Sequence, residues 1–266
     1  MIQFIGFALA IAMAFIAIRQ LTGIGKRKVV VPEEDPFPKA WRGLLKDVVF
    51  YQKLDQQGKK RFEFKIQDFL ANCMITGIET EVEDSDRVLI AASAVIPIFN
   101  FPDWAYRNLG EILLYADSFN EHYHTEGADR RILGMVGEGA MQGKMILSKR
   151  ALHHDFTNHT DKHNTAVHEF VHLIDKSDGA TDGVPELLLD HKYVLPWLKL
   201  IRENVEEIHK GKSDINPYAA TNNQEFLAVT SEYFFERPEL FQEKHPELYD
   251  YLHRMFGPHE PQAEAV

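Results

Sequence analysis

The sequence contains a single cysteine, Cys73, in 266 residues. No disulfide can form within the chain, and a cysteine-rich zinc site is excluded. A lone cysteine fits a reducing compartment, and Cys73, beside apolar neighbours, reads as a small buried hydrophobe. Positive charge is also scarce. Lys and Arg number 29 against 40 Asp and Glu, a formal net charge of -11. Nucleic-acid binding rests on phosphate neutralisation by Lys and Arg, so this balance argues against it. There is no internal repeat and no long low-complexity tract. Only one long apolar run occurs, Ile2 to Ile18, which argues against an intramembrane protease, since that chemistry needs several such spans.

What is present is an ordinary globular composition. Hydrophobic residues at 45% and charged residues at 26% allow a core for one large domain or two small ones. The run from Ile2 to Ile18 is near the lower limit for a transmembrane helix. A cleaved signal peptide is the rival, but it wants a basic segment before the apolar core. Here the basic residues follow: Arg19, Lys26, Arg27 and Lys28. The positive-inside tendency then puts the C-terminal side in the cytoplasm. The expected organisation is a transmembrane anchor at 1–24, a Pro-containing linker at 25–38, a catalytic domain at 39–257 and a flexible tail at 258–266. This corresponds to a single-pass protein of the inner membrane whose domain faces the cytoplasm.

The expected fold class is α+β and helix-rich, with a small β-sheet ahead of the central helix. Lys39 to Cys73 carries helical spacing through Phe62, Ile66, Phe69 and Cys73. A second helix runs through Val88 to Val95, with Asp84 or Ser85 as its cap. Ile112–Tyr115 and Lys144–Leu147 read as strands, and Thr76–Thr80 as a third. Helices return at Thr165–Asp175, Lys192–His209, Asn222–Glu236 and Glu239–Phe256, with Pro196 kinking or restarting its helix. His153, His154, His159 and His163 read as a solvated loop rather than a second metal site.

The chemistry concentrates in Val167-His168-Glu169-Phe170-Val171-His172-Leu173-Ile174-Asp175, an HExxH pattern. Residues i and i+4 share a helix face, so both imidazoles can reach one ion. Glu169 can address a reacting water instead of the ion. The intervening Phe170, Val171, Leu173 and Ile174 bury this helix, and unsatisfied His and Glu there would cost several kcal/mol. Zinc satisfies them. A catalytic zinc needs a third protein ligand and an open position. Positions 175 and 178 are both Asp, so the extended HExxHxxGxxH pattern is absent. His191 follows a loop and is the weaker candidate. Glu225 and Glu232 share one face of a later helix, with Thr221 and Gln224 forming a capping-box pattern at its start. Either carboxylate could ligate while the other supports.

Taken together, several pieces resemble one family. These are Leu89-Ile90-Ala91-Ala92-Ser93-Ala94, Asp103-Trp104, the Gly137 to Ser148 loop and strand, His168 to Asp175, Tyr218-Ala219-Ala220-Thr221 leading to Glu225, and Ser231-Glu232-Tyr233-Phe234. They are similar to the Mlc titration factor A peptidases, themselves similar to the anthrax lethal factor catalytic domain, over about Trp41 to Phe256. The resemblance implies a zincin-like metallopeptidase with zinc on His168, His172 and Glu225, Glu169 as general base and Tyr218 as catalytic tyrosine. It implies that Asp175 orients a ligand imidazole, with Glu232 also supporting the site. It further implies aminopeptidase-type activity. The family name comes from binding the repressor Mlc, and no surface in this sequence carries that partner over.

The expected function is therefore a membrane-tethered zinc peptidase acting on a peptide or protein substrate. The alternative is a membrane-attached regulatory protein of the same fold that sequesters a transcription factor around a structural zinc. Glu169 and Tyr218 favour the enzyme, because a structural zinc needs neither a base nor an open position. The strand Lys144 to Ser148 is expected to form the cleft edge and pair with extended substrate. The glycines of 137–143 are expected to let backbone approach backbone near that cleft.

Overall fold

A computed structural model describes residues 29, 31–32, 36–101, 103–127, 129–158 and 161–258. The chain divides after residue 30, and apart from Val29 the described residues belong to the second unit. The expected anchor and part of the linker lie outside the described residues, as does His159. No helix among the described residues is long and apolar enough to cross a membrane.

The architecture is helix-rich α+β. The helices are α1 (Lys39–Leu44), α2 (Val49–Lys53), α3 (Gln56–Asn72), α4 (Asp84–Ile98), α5 (Lys149–Thr157), α6 (Thr165–Asp175), α7 (Val194–His209), α8 (Asn223–Glu236), α9 (Pro238–Lys244) and α10 (Pro246–Phe256). The strands are β1 (Met74–Ile78), β2 (Glu111–Tyr115), β3 (Gly134–Val136) and β4 (Lys144–Ser148). They form one mixed sheet in the order β1-β2-β4-β3. β1, β2 and β4 are parallel, whereas β3 runs antiparallel to β4 with Gly134 opposite Leu147.

Three helices build the core around the sheet. α4 is buried along almost its whole length, from Val88 to Ile98, as its unbroken apolar sequence requires. α6 packs against α4 and α8 and also touches β3. Within its motif, Phe170 packs edge-on against Phe69 and tilted against Tyr106, with ring centroids 5.7 Å and 5.0 Å away. Complete burial of such a ring contributes about 1.5–3 kcal/mol, so this contact anchors the face of α6 opposite the histidines.

Local signals explain most boundaries. α6 starts where Asn164 accepts the Val167 N–H, and α3 where Asp55 accepts the Gly58 N–H. Several expectations are corrected. Lys39 to Cys73 is three helices and a 3-10 turn, because Val48 and Leu54 are extended and Asp55 caps a fresh start. The cap of α4 is Glu83, in a reciprocal box with Asp86. The cap of α8 is Asn222, whose side chain accepts the Glu225 N–H, in place of Thr221. The stretch from Lys192 begins as a 3-10 turn, His191–Tyr193, and the α-helix starts at Val194, with Pro196 in its first turn, where a missing N–H costs nothing. Glu239 to Phe256 is two helices, since Pro246 cannot donate into the preceding turn and restarts the chain as α10. His153 and His154 sit on α5, with His153 Nε2 2.6 Å from buried Asp86.

The sheet order also corrects the cleft edge. β4 is flanked by β2 on one side and β3 on the other, so it has no free edge to offer. β3, a three-residue strand too short and too glycine-rich to show alternation, stands at the end of the sheet instead.

Candidate metal centre

α6 and α8 pack side by side and bring three side chains to one point. His168 Nε2 lies 3.0 Å from His172 Nε2 and 3.0 Å from Glu225 Oε2, and His172 Nε2 lies 3.5 Å from Glu225 Oε2. The three ligand atoms fall within 4.8 Å of one another. His168 and Glu225 are buried and His172 half-buried. Two imidazole nitrogens facing each other at this separation repel unless a proton or a cation lies between them. Nitrogen and oxygen ligands of a tetrahedral zinc sit about 3.4 Å from each other, so this donor set fits zinc in both chemistry and spacing.

The site is held from behind by a second carboxylate. Glu232 Oε1 lies 2.7 Å from His168 Nδ1, and Glu232 Oε2 accepts the Asn164 N–H at 2.8 Å. This arrangement fixes the His168 tautomer with Nε2 turned to the ligand cluster. Of the two candidate carboxylates, Glu225 is the one that meets both imidazoles and Glu232 the one behind His168. Where the sequence suggests Asp175 as the partner of an imidazole, the structure puts Glu232. Asp175 is buried and accepts the Gly183 N–H through Oδ2 at 2.9 Å, and it makes no hydrogen bond to His168 or His172 among the described residues. That bond ties the end of α6 to the 183 loop, whose Gly183 carbonyl also takes the Trp197 Nε1–H at 2.7 Å.

Electrostatics follow the geometry. Burial opposes a charge on His168, but Glu232 and Glu225 outweigh it and hold its pKa well above the usual histidine value. Burial likewise raises Glu225, yet His168 and His172 bring it down to about 2. Glu169 differs from both: burial dominates and its pKa is raised.

Glu169, His168, His172, Glu225 and Tyr218 line one cleft of about 290 Å³ together with Gly134, Met135, Val136 and Glu138. Tyr218 lies on a 3-10 turn, Pro217–Ala220, and is 52% exposed at the cleft mouth. Its ring centroid is 6.2 Å from that of His168. The turn is set by Asn216, whose Oδ1 accepts the Tyr218 N–H at 3.0 Å. Burial raises the Tyr218 pKa, and the Glu225 and Glu169 carboxylates add to it, so the hydroxyl keeps its proton as a donor. Of the glycines in 137–143, Gly137 brings backbone together: a Cβ there would stand 2.2 Å from the Met141 carbonyl oxygen, whereas Gly139 has nothing within 4 Å. Sequence reading missed β3 and Asn216. The signal for Asn216 is local, an Asn-Pro pair opening a turn.

Comparison with known proteins adds an independent line. A family profile described as glucose-regulated metallo-peptidase M90 matches residues 24–257. An uncharacterized protein of Synechocystis sp., slr2042, is 32% identical over 83% of this chain and 84% of its own length. Mlc titration factor A of Serratia proteamaculans is 25% identical over 76% of this chain and 81% of its own length. Mlc titration factor A of Pectobacterium atrosepticum is 27% identical over 60% of this chain and 63% of its own length.

Proposed function

The chain belongs to the M90 family of glucose-regulated metallo-peptidases, and on that premise we propose that it is a zinc-dependent peptidase tethered to the cytoplasmic membrane, with aminopeptidase-type activity. The observation that carries the reading is the meeting of His168, His172 and Glu225 within 4.8 Å at the floor of a cleft that Glu169 and Tyr218 also line. A purely structural zinc site closes around its ion and leaves neither an open side nor a base beside it.

His168, His172 and Glu225 would hold the zinc. Bound there, zinc supplies Lewis acidity toward a carbonyl oxygen and makes water acidic near neutral pH. The rest falls to the chain. Glu169 takes the proton of the attacking water on its carboxylate and passes it to the departing amine. Its raised pKa suits a group that must both accept and release a proton. The Tyr218 hydroxyl donates to the substrate oxygen on which negative charge develops, an interaction that strengthens as the charge grows. Glu232 keeps the His168 ring turned toward the cluster. An extended substrate lies along β3, the end strand of the sheet, whose residues Gly134, Met135 and Val136 line the cleft.

The test uses the full chain purified in mild detergent. Cleavage of short unblocked peptides is expected, abolished by a zinc chelator and by Glu169→Gln, with zinc retained in that variant. Activity that survives Glu169→Gln overturns the assignment. For topology, a C-terminal reporter should be active only in the cytoplasm; a periplasmic signal reverses the orientation read from Arg19, Lys26, Arg27 and Lys28.

A second reading draws on the relatives named Mlc titration factor A. Carried to this chain, that name supports a membrane-attached regulatory protein that binds and sequesters a transcriptional repressor. Glu169 and Tyr218 in the open cleft favour the enzyme over it.

A further inference from the structure

Three carboxylates meet at this site, and two of them are fixed by hydrogen bonds or ion pairs. Glu225 faces both imidazoles, and Glu232 is held between His168 and the Asn164 N–H. Glu169 is different. No group among the described residues donates a hydrogen bond to its carboxylate, although the residue is buried. A base must be aimed, so something other than hydrogen bonding has to set the direction of this side chain.

What lies against it is the backbone of the edge strand. An ideal Cβ built on Gly134 would stand 2.7 Å from Glu169 Cγ, 2.8 Å from Glu169 Oε1 and 2.9 Å from Thr165 Cγ2. Real carbon contacts at those distances do not occur, so only glycine allows β3 to come this close. On its other side β3 is paired with β4, whose Met145, Ile146 and Leu147 are buried, so the strand is not free to back away. Any added bulk at Gly134 must therefore be relieved by the side chain opposite.

We propose that Gly134 is a positioning residue for the reaction: the bare backbone of β3 is the wall that aims the Glu169 carboxylate. The proposal rests on Glu169 acting as the base. The same strand lines the cleft where substrate lies, so one short element sets both the base and the peptide it acts on, and their separation is fixed by that contact.

The physical asymmetry gives the test. In Gly134→Ala the new methyl group meets Cγ and Oε1 of Glu169 and Cγ2 of Thr165, and rotation of the Glu169 side chain about its own bonds relieves the two closest of these. A misplacement of about 1 Å at a reacting group can cost about 100-fold in rate. Full-length Gly134→Ala is therefore expected to lose about 10- to 100-fold in kcat, with KM, zinc content and melting temperature near those of the unaltered chain. A crystal structure of Gly134→Ala should show the Glu169 carboxylate displaced and His168, His172 and Glu225 unmoved.

Unchanged kcat in Gly134→Ala, or a Glu169 side chain that has not moved, overturns the proposal. So does a fall in zinc content or melting temperature that accompanies the loss of kcat, which marks general damage. Should Gly134→Ala fail to fold, Gly134→Ala with Thr165→Ser removes the third contact while keeping the hydroxyl, and the same outcomes apply. Absence of peptide cleavage in the unaltered zinc-loaded chain defeats the peptidase reading instead, and the crystallographic comparison then still decides whether Gly134 sets the direction of Glu169.

Discussion

His168 Nδ1 and Glu232 Oε1 lie 2.7 Å apart, although 64 residues separate them in sequence. The bond joins α6 to α8 beneath the ligand cluster and leaves His168 Nε2 facing His172 and Glu225. Glu232→Gln should keep the packing but lose the charge that fixes the ring. Zinc affinity is expected to fall about 10- to 100-fold, read by competition with a chromophoric chelator. Equal affinity in the two proteins would show that Glu232 does not orient the ligand.

Asn216 holds the turn that carries Tyr218. Its Oδ1 accepts the Tyr218 N–H at 3.0 Å, and its Nδ2 lies 3.3 Å from His163 Nε2. Asn216→Ala removes a cap worth about 0.5–2 kcal/mol. Because Tyr218 is at the exposed mouth and not in the core, the cost should appear as a several-fold drop in kcat with full zinc content. Steady-state kinetics beside metal analysis decide this, and a variant with unaltered kcat removes Asn216 from the site.

Glu236 sits at the end of α8, where Asn164 Nδ2 donates to its Oε1 at 2.8 Å. Burial raises its pKa from 4.5 to about 7. A carboxyl whose pKa is higher in the folded state favours folding below the unfolded value, and that advantage is lost as pH rises through the folded value. Glu236→Gln keeps the acceptor oxygen without the charge. Its melting temperature should exceed that of the unaltered chain at about pH 8 and approach it at about pH 4. Thermal melts across that range check the convergence; a uniform decrease at every pH would contradict it.

Asp214 behaves in the opposite sense. It accepts from Lys162 Nζ at 2.6 Å, Lys244 Nζ at 2.8 Å and the Tyr233 hydroxyl at 2.9 Å, and it lies 2.7 Å from His245 Nε2. Burial works against its charge, but these partners pull its pKa far below the usual carboxylate value of 3.8. Its contribution is therefore complete above that value and declines as pH falls toward the folded one. Asp214→Asn is expected to lose about 2 kcal/mol or more near neutrality and to show a flatter acid limb. Denaturant unfolding at neutral and acid pH measures both, and parallel acid limbs would count against the hub.

The sequence by itself determined the features that depend on neighbours along the chain. An i, i+4 spacing puts His168 and His172 on one helix face wherever that helix lies. The apolar residues between them require a buried helix, and Thr165–Asp175 has the expected limits. Strands β2 and β4 announced themselves by short apolar runs between turns. Where propensity is weak, caps and prolines moved the ends: Glu83 replaced Asp84, Asn222 replaced Thr221, and Pro246 split one helix into two.

Periodicity left the two carboxylates open and the family resemblance pointed to Glu225; only the tertiary structure shows which of them faces the imidazoles. Glu225 and Glu232 are equivalent by helical spacing, and the rotation of α8 against α6 alone brings the first to the ligand atoms and sends the second behind His168. The same packing turned Asp175 toward Gly183 and made β3, not β4, the wall beside Glu169. Those contacts join residues tens of positions apart, and their geometry is fixed by how buried faces interlock, which periodicity along a single segment does not encode.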